Sequence, residues 1–488
     1  MPFSSCFLCS LSYLLSITCV YPGDGGRREL RREEARSPAR VETSPAINRV
    51  FHWVHDGRIP DETSSASLIP TTTHELLNVF FAHCHPQRMV VHEPSIFASI
   101  CRQEVPAYLI LAMCAVAAPL SRTTRANAAL PRLAGVPFFL QASRLMFDGH
   151  GALVCPPSIH AVQALCLLEM HEINANHSWT SCYRYFDLAL QVMEGNLYIH
   201  YLKDAQFSTS TDPESIARSI DRECIGRCYW LIYLLESLKY IYTHQPVNTR
   251  LSRLSDMVPL PVDETRFALV AWYNSSSAWE SLDHDSRFRH LKNIVDIFGH
   301  AVTTYLTKEA TMRESAIASV RSSARAWLEG LPQYLQFTEE NFEIQVTSLQ
   351  TSFTLDAWCF CFMHVMYSCC ELTILESTMD FPNTYSWPCE RLSVILSSVG
   401  VHARNTLLMP CALWFYSRHD PHGPLVDEWD RSFEELWGFK IVMVAQQWRL
   451  VQASALGTPT QCYSPQVCSS VCTSVYQQCQ RGMTYALA

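Results

Sequence analysis

Cysteine and histidine are the residues in this chain whose types and spacing could do chemistry; 488 residues contain 21 Cys and 19 His. The opening run, "MPFSSCFLCSLSYLLSITCVYPGDGG", sets Cys6, Cys9 and Cys19 in an apolar stretch. Thiolates are zinc ligands, and these three stand with no basic residue between them. "AHCHP" brings His83, Cys84 and His85 together at the end of an apolar helical pattern, where packing or capping explains them. "RHDPHGP" (His419, His422) is a Pro/Gly turn and reads as a solvated loop. Cys462, Cys468, Cys472 and Cys479 near the end lack close C-x-x-C knuckles flanked by turns, so they are a weak zinc pattern. Acid pairs such as Asp283/Asp285 and Glu339/Glu340 lie in polar stretches and read as solvated faces.

No catalytic constellation emerges. The chain has no G-x-S-x-G elbow, phosphate-binding glycine loop, H-E-x-x-H pair or dinucleotide fingerprint. The reading is therefore of a protein that is not an enzyme. A helical lipid- or terpenoid-processing enzyme of secondary metabolism is a distant rival, and it would need convergent acids in a deep cavity.

Bulk composition narrows the classes further. Hydrophobic residues make up 48% and charged residues 17%, enough for a large core. A net charge of −9 excludes nucleic-acid binding over the whole surface and leaves it only to a small basic segment. The cysteines lie mostly in apolar helical stretches, as in "LDAWCFCFMHVMYSCCELTIL" (Cys359, Cys361, Cys369, Cys370), so they read as small buried hydrophobes in a reducing compartment. A signal peptide at "FLCSLSYLLSITC" would need a basic n-region and a small-x-small cleavage site, and both are missing. Glycans at Asn176 or Asn274 would favour secretion. Polar residues interrupt every apolar run short of the ~18–20 residues needed to span a bilayer, so no membrane partner is expected.

The elements that would position any site are helices. Residues 1–71 read as a degenerate cysteine segment with a disordered linker, 72–455 as one all-α domain, and 456–488 as a poorly ordered tail. Thr72 is the cap candidate of the first helix, with Glu75 completing a capping box. Pro94 stands early in a second helix, and "PAYLILAMCAVAAPL" is apolar all round, hence central. A helix starting behind Ser178/Thr180 stops at Gly195-Asn196. Further helical periods cover 284–307, 309–330, 344–377, 389–409 and 425–455. Period-2 alternation is lacking, so strands are not expected.

The order of segments resembles the middle homology region of fungal binuclear zinc-cluster transcription factors. "LLNVFFAHCHPQRMVVHEPSIF" is similar to that family's entry, with His83, His85, Pro86, His92, Pro94 and Phe97 in place. "RECIGRCYWLIYLLESLKYIYTHQPVNTRLSRLSDMVPLPVDETRF" resembles its most diagnostic part and keeps Glu223, Arg227, Tyr229, Trp230 and Glu236. Pro246 and the stretch "DMVPLPVDE", with Pro261 and Asp263, match the proline-rich loop. Ile225 and Gly226 stand where the family has arginines, which predicts a thinner salt-bridge cluster. "WLEGLPQYLQF" and "FMHVMYSCCELTIL" resemble later Leu-Pro and His-x-x-Tyr helices, and the likeness covers about residues 73–380.

The resemblance implies an all-helical regulatory domain of a nuclear transcription regulator, of the kind found in biosynthetic gene clusters. The implied partners are promoter DNA, the transcription machinery, a second copy and a small-molecule effector. It implies no cofactor in the chain as it stands, and zinc only if an intact cluster exists upstream. "TCVYPGDGGRRELRR" resembles the exit of such a cluster, which makes Cys6, Cys9 and Cys19 the remnant of a metal site. The alternative is an interaction protein without DNA binding that dimerises with intact relatives.

Overall fold

The computed structural model describes residues 70–128, 130–176, 183–199, 202, 212–243, 249–269, 287–305, 310–351, 355–378, 387–404, 408–419, 424–438 and 440. The cysteine-bearing leader, the linker to residue 69, the expected tail and Pro246 all lie outside them. Every described element is helical apart from one isolated antiparallel bridge, Phe147 to Leu153. The all-α expectation is met.

Two nearly apolar helices act as hubs. The first hub is α3 (Ala107–Ala117), in which every residue from Tyr108 to Ala117 is buried. Around it stand α1 (Pro70–His83), α5 (Val136–Met146) and α6 (Ile159–Asn176), while α2 (Glu93–Cys101) and the short α4 (Arg122–Ala126) complete the entry. Here α5 approaches α3 so closely that a Cβ on Gly135 would lie 2.0 Å from the Ala115 carbonyl oxygen. A packed α3 follows from its sequence: with no polar residue on any side, only a surround of other helices removes it from water.

The second hub is α14 (Leu355–Thr378), covered by α11 (Arg287–Tyr305), α12 (Ala310–Glu329), α13 (Glu339–Thr351), α15 (Trp387–Arg404) and α16 (Leu408–His419). Contrary to the sequence expectation, α14 is long and apolar enough to cross a membrane, yet 89% of its most apolar window is buried by these neighbours. The 31-residue α8 (Pro213–Thr243) joins the halves, touching α6, α7 (Arg184–Gly195) and the 3-10 turn Gln87–Val90 on one side and α11 on the other. Two short helices, α9 (Thr249–Leu254) and α10 (Glu264–Leu269), flank the proline-rich loop, and α17 (Pro424–Trp437) is the last described helix.

Several boundaries differ from the periodicity reading. α1 begins at Pro70, whose fixed φ suits a first turn, so Thr72 is inside the helix and not its cap. Glu75 instead accepts a hydrogen bond from the Ser121 hydroxyl at 2.7 Å. The period at 344–377 divides into α13 and α14, and that at 389–409 into α15 and the start of α16. α7 ends at Gly195 as expected, but the left-handed residue beyond it is Tyr198 (φ 51). Its other end starts at Arg184 with no side-chain cap of its own; Glu169, reaching from α6, accepts the Tyr185 N–H at 2.7 Å. Ser178 and Thr180 lie outside the described residues. Burial pushes the Glu169 carboxyl up to about 8.

Candidate functional site

Three side chains of α8, spaced i, i+4 and i+7, face the loop that follows it. That spacing puts Glu223, Arg227 and Trp230 on one stripe of the helix. The loop "VPLPVDE" has prolines at 259 and 261, so it forfeits two N–H donors and cannot build its own ladder. Helix α8 supplies what is missing. Trp230 Nε1 donates to the Pro259 carbonyl at 2.7 Å, Arg227 Nη2 donates to the Val262 carbonyl at 2.7 Å, and Glu223 accepts the Val262 N–H at 2.9 Å. Tyr229 extends the pattern by donating to the Leu251 carbonyl at 2.8 Å.

Arg227 is wholly buried. Its Nε lies 2.8 Å from Glu223 and its Nη1 2.7 Å from Glu264, and its guanidinium carbon sits 3.9 Å above the Phe267 ring. Burial opposes the charge, but Glu264 and Glu223 outweigh it and hold the guanidinium protonated. Glu264 is likewise opposed by burial, yet Arg227 and Arg88 keep its carboxyl below the usual range. For Glu223 burial wins and the carboxyl is raised.

Two sequence departures are answered here. Gly226 and Ile225 remove charge from α8, as expected, but Arg88 comes from the 3-10 turn after α1 and restores one cation. Arg88 lies 3.3 Å from Glu264 and 3.5 Å from Glu93, and it also donates to the Phe81 carbonyl. His92 caps the same corner: Nε2 is 2.8 Å from the Phe267 carbonyl and Nδ1 is 2.6 Å from the Ser95 hydroxyl. Burial lowers the His92 imidazole to about 4, so it is neutral.

The loop is pinned from its far side too. Asp356 of α14 is hydrogen-bonded to Asp263 and lies 2.5 Å from Arg287 of α11. Burial above all pushes Asp356 up to about 7, with the neighbouring Asp263 and Glu264 adding to it and Arg287 opposing. Two carboxyls in contact need a proton between them.

The structure thus brings together His92, Glu223, Arg227, Trp230, Pro261 and Asp263 around one loop. Pro86 is buried at the cis His85–Pro86 bond, His83 ends α1 and Pro94 is exposed in the first turn of α2, so these three frame the corner without entering it. No three His, Cys, Asp or Glu side chains converge to hold a metal among the described residues. The later signatures also meet, since His364 of α14 approaches the Leu335 carbonyl at 2.9 Å. Sequence reading missed Arg88, Arg287 and Asp356, because Glu264 and Asp263, which they meet through the fold, are distant from them in the chain or, for Arg287, joined through Asp356.

These features define a class: a large all-helical domain in which one long helix satisfies a proline-rich loop through a buried ion cluster. Residues 77–315 match the family described as the fungal specific transcription factor domain. An uncharacterised transcriptional regulatory protein of Schizosaccharomyces pombe is 24% identical over 360 residues, covering 68% of this chain and 34% of the relative. A Zn(2)-C6 fungal-type transcription factor of Fusarium oxysporum f. sp. lycopersici, FTF1c, is 25% identical over 203 residues, 39% of this chain and 20% of that protein. FTF2 of the same organism is 25% identical over 197 residues, 38% of this chain and 17% of that protein. The chain thus spans about a third or less of the length of these curated relatives. No solved structure matches it.

Proposed function

We propose that the protein is a fungal transcription regulator acting in the nucleus, and that residues 70–438 form its regulatory domain. The match of residues 77–315 to the fungal specific transcription factor domain carries this reading. The names of the relatives, transcriptional regulatory protein and Zn(2)-C6 transcription factor, point the same way. The role is regulatory and not enzymatic, and the transcription machinery is the partner it requires. The cluster around Arg227 holds α8 and the loop as one unit, so a signal reaching either is transmitted to both halves of the fold. Cys6, Cys9 and Cys19 by themselves are too few for a two-zinc cluster. Promoter contact belongs to whatever basic segment accompanies the domain.

The test is a tethering assay in a fungal host. The full chain is fused to an unrelated DNA-binding module upstream of a reporter, and its location is followed with a fluorescent tag. A several-fold rise or fall in reporter output with nuclear accumulation is expected. A fusion that accumulates in the nucleus and leaves the reporter at its basal level would overturn the reading.

A further inference from the structure

The corner where α12, α14 and α15 meet lies outside the ion cluster and carries an unusual arginine. Arg391 of α15 is stacked among rings: its guanidinium carbon is 4.6 Å from the Phe337 centroid, 4.8 Å from Trp387 and 5.7 Å from Tyr367. Such faces attract the charge, but they accept no N–H hydrogen bond of ordinary strength. Nη1 of Arg391 is fully buried with no hydrogen-bond partner. An unmet buried guanidinium donor is costly, and in native proteins it marks a place where an anion or water completes the set.

The surroundings are electropositive. Arg321 and Arg325 of α12 act, with Arg391, on the single carboxylate of Glu371 on α14. None of the three arginines lies in a contact ion pair among the described residues. All three cations bear on this one carboxylate, on a chain of net charge −9. Beside them Trp387 is stacked on Tyr367, with centroids 5.5 Å apart, and is 43% exposed. Nearly half of this large aromatic side chain is thus exposed next to an arginine that lacks an acceptor.

We propose that this corner binds a small organic anion with a planar apolar body, the anionic group meeting Arg391 and Arg325 and the body lying on Trp387. The half-buried setting of Arg391 beneath its rings favours a narrow ligand over a macromolecule: a nucleic-acid backbone or an acidic peptide meets cations that stand clear of the surface. Binding is independent of the regulatory reading above, and only its coupling to transcription rests on it.

Isothermal titration calorimetry on the full chain tests this, with phenyl phosphate, benzoate, inorganic phosphate, benzyl alcohol and a hexaglutamate peptide as probes. Phenyl phosphate or benzoate should bind saturably and benzyl alcohol should not, and the stronger of the two identifies the headgroup. Arg391→Gln should weaken that probe at least tenfold. Trp387→Ala should weaken it while leaving inorganic phosphate nearly unchanged, and Arg102→Gln, at a distant exposed pair, should change nothing. If Arg391→Gln fails to fold, Arg325→Gln, on an exposed residue, makes the same comparison. No saturable binding by either planar anion, wild-type affinity in the arginine and tryptophan variants, or preference for hexaglutamate would each overturn the proposal.

Discussion

Replacing Arg227 with methionine is the sharpest perturbation of the cluster, because the side chain is wholly buried at its centre. Methionine keeps the stem's volume and deletes three charge-assisted hydrogen bonds, to Glu223, Glu264 and the Val262 carbonyl. Glu223 then has the Val262 N–H alone, and Glu264 has only Arg88 at 3.3 Å. Removing one partner of a buried ion pair costs about 3–5 kcal/mol, mainly because the remaining charges stay desolvated. At roughly 2 °C per kcal/mol for a chain of this size, Tm should fall by about 6–10 °C. Urea unfolding followed by far-UV circular dichroism measures the same loss at constant temperature. Arg227→Lys should recover less than half, since one ammonium cannot reach three acceptors set in a fork. The triple variant Glu223→Gln, Arg227→Met, Glu264→Gln should be more stable than Arg227→Met alone, because no unpaired charge is left behind and Arg88 retains Glu93. A loss under about 1 kcal/mol for Arg227→Met, or a triple variant worse than the single, would refute the argument that unpaired buried carboxylates dominate the cost.

Asp356, held near 7, and Glu169, held near 8, have folded-state values above their unfolded ones. Their stabilising contribution is therefore complete below about pH 4 and is lost as pH rises to 7–8. Melting between pH 5 and 8 should show this fall, and Asp356→Asn, which mimics the protonated acid, should flatten it. Gly135→Ala would drive a Cβ to within 2.0 Å of a backbone oxygen and should cost about 3 kcal/mol, the upper end of overpacking, read by urea unfolding. Among the described cysteines, Cys101 is exposed and the others buried, so timed alkylation with mass mapping should label Cys101 first and spare Cys361 and Cys370. Burial raises the Cys361 thiol to about 12, which leaves almost no thiolate to react.

Apolar periodicity revealed α3, α8 and α14 because their burial is written in consecutive residues. It blurred α13 into α14, where no strong breaker separates two apolar periods. The helical half of the candidate site, Glu223, Arg227 and Trp230, was legible through the resemblance to the family's motif, and the structure sets the three on one stripe of α8. The rest was not, because Arg88, Glu264, Arg287 and Asp356 meet only through tertiary contact. A charge in an apolar stretch announces that it needs a partner without saying which. Likewise, Glu169 capping α7 from another helix could not be read from the local sequence of α7.

The apolar character of α14 has a bearing on how the chain is made. Two of its covering helices, α15 and α16, are downstream of it and leave the ribosome later. At about 5–20 residues per second, α14 stands uncovered for seconds during each round of synthesis. In that interval it has the length and composition of a membrane segment. Safe passage therefore depends on α11, α12 and α13, already emerged, shielding it first. A message truncated after Thr378 would leave that face open for chaperones and quality-control machinery to bind.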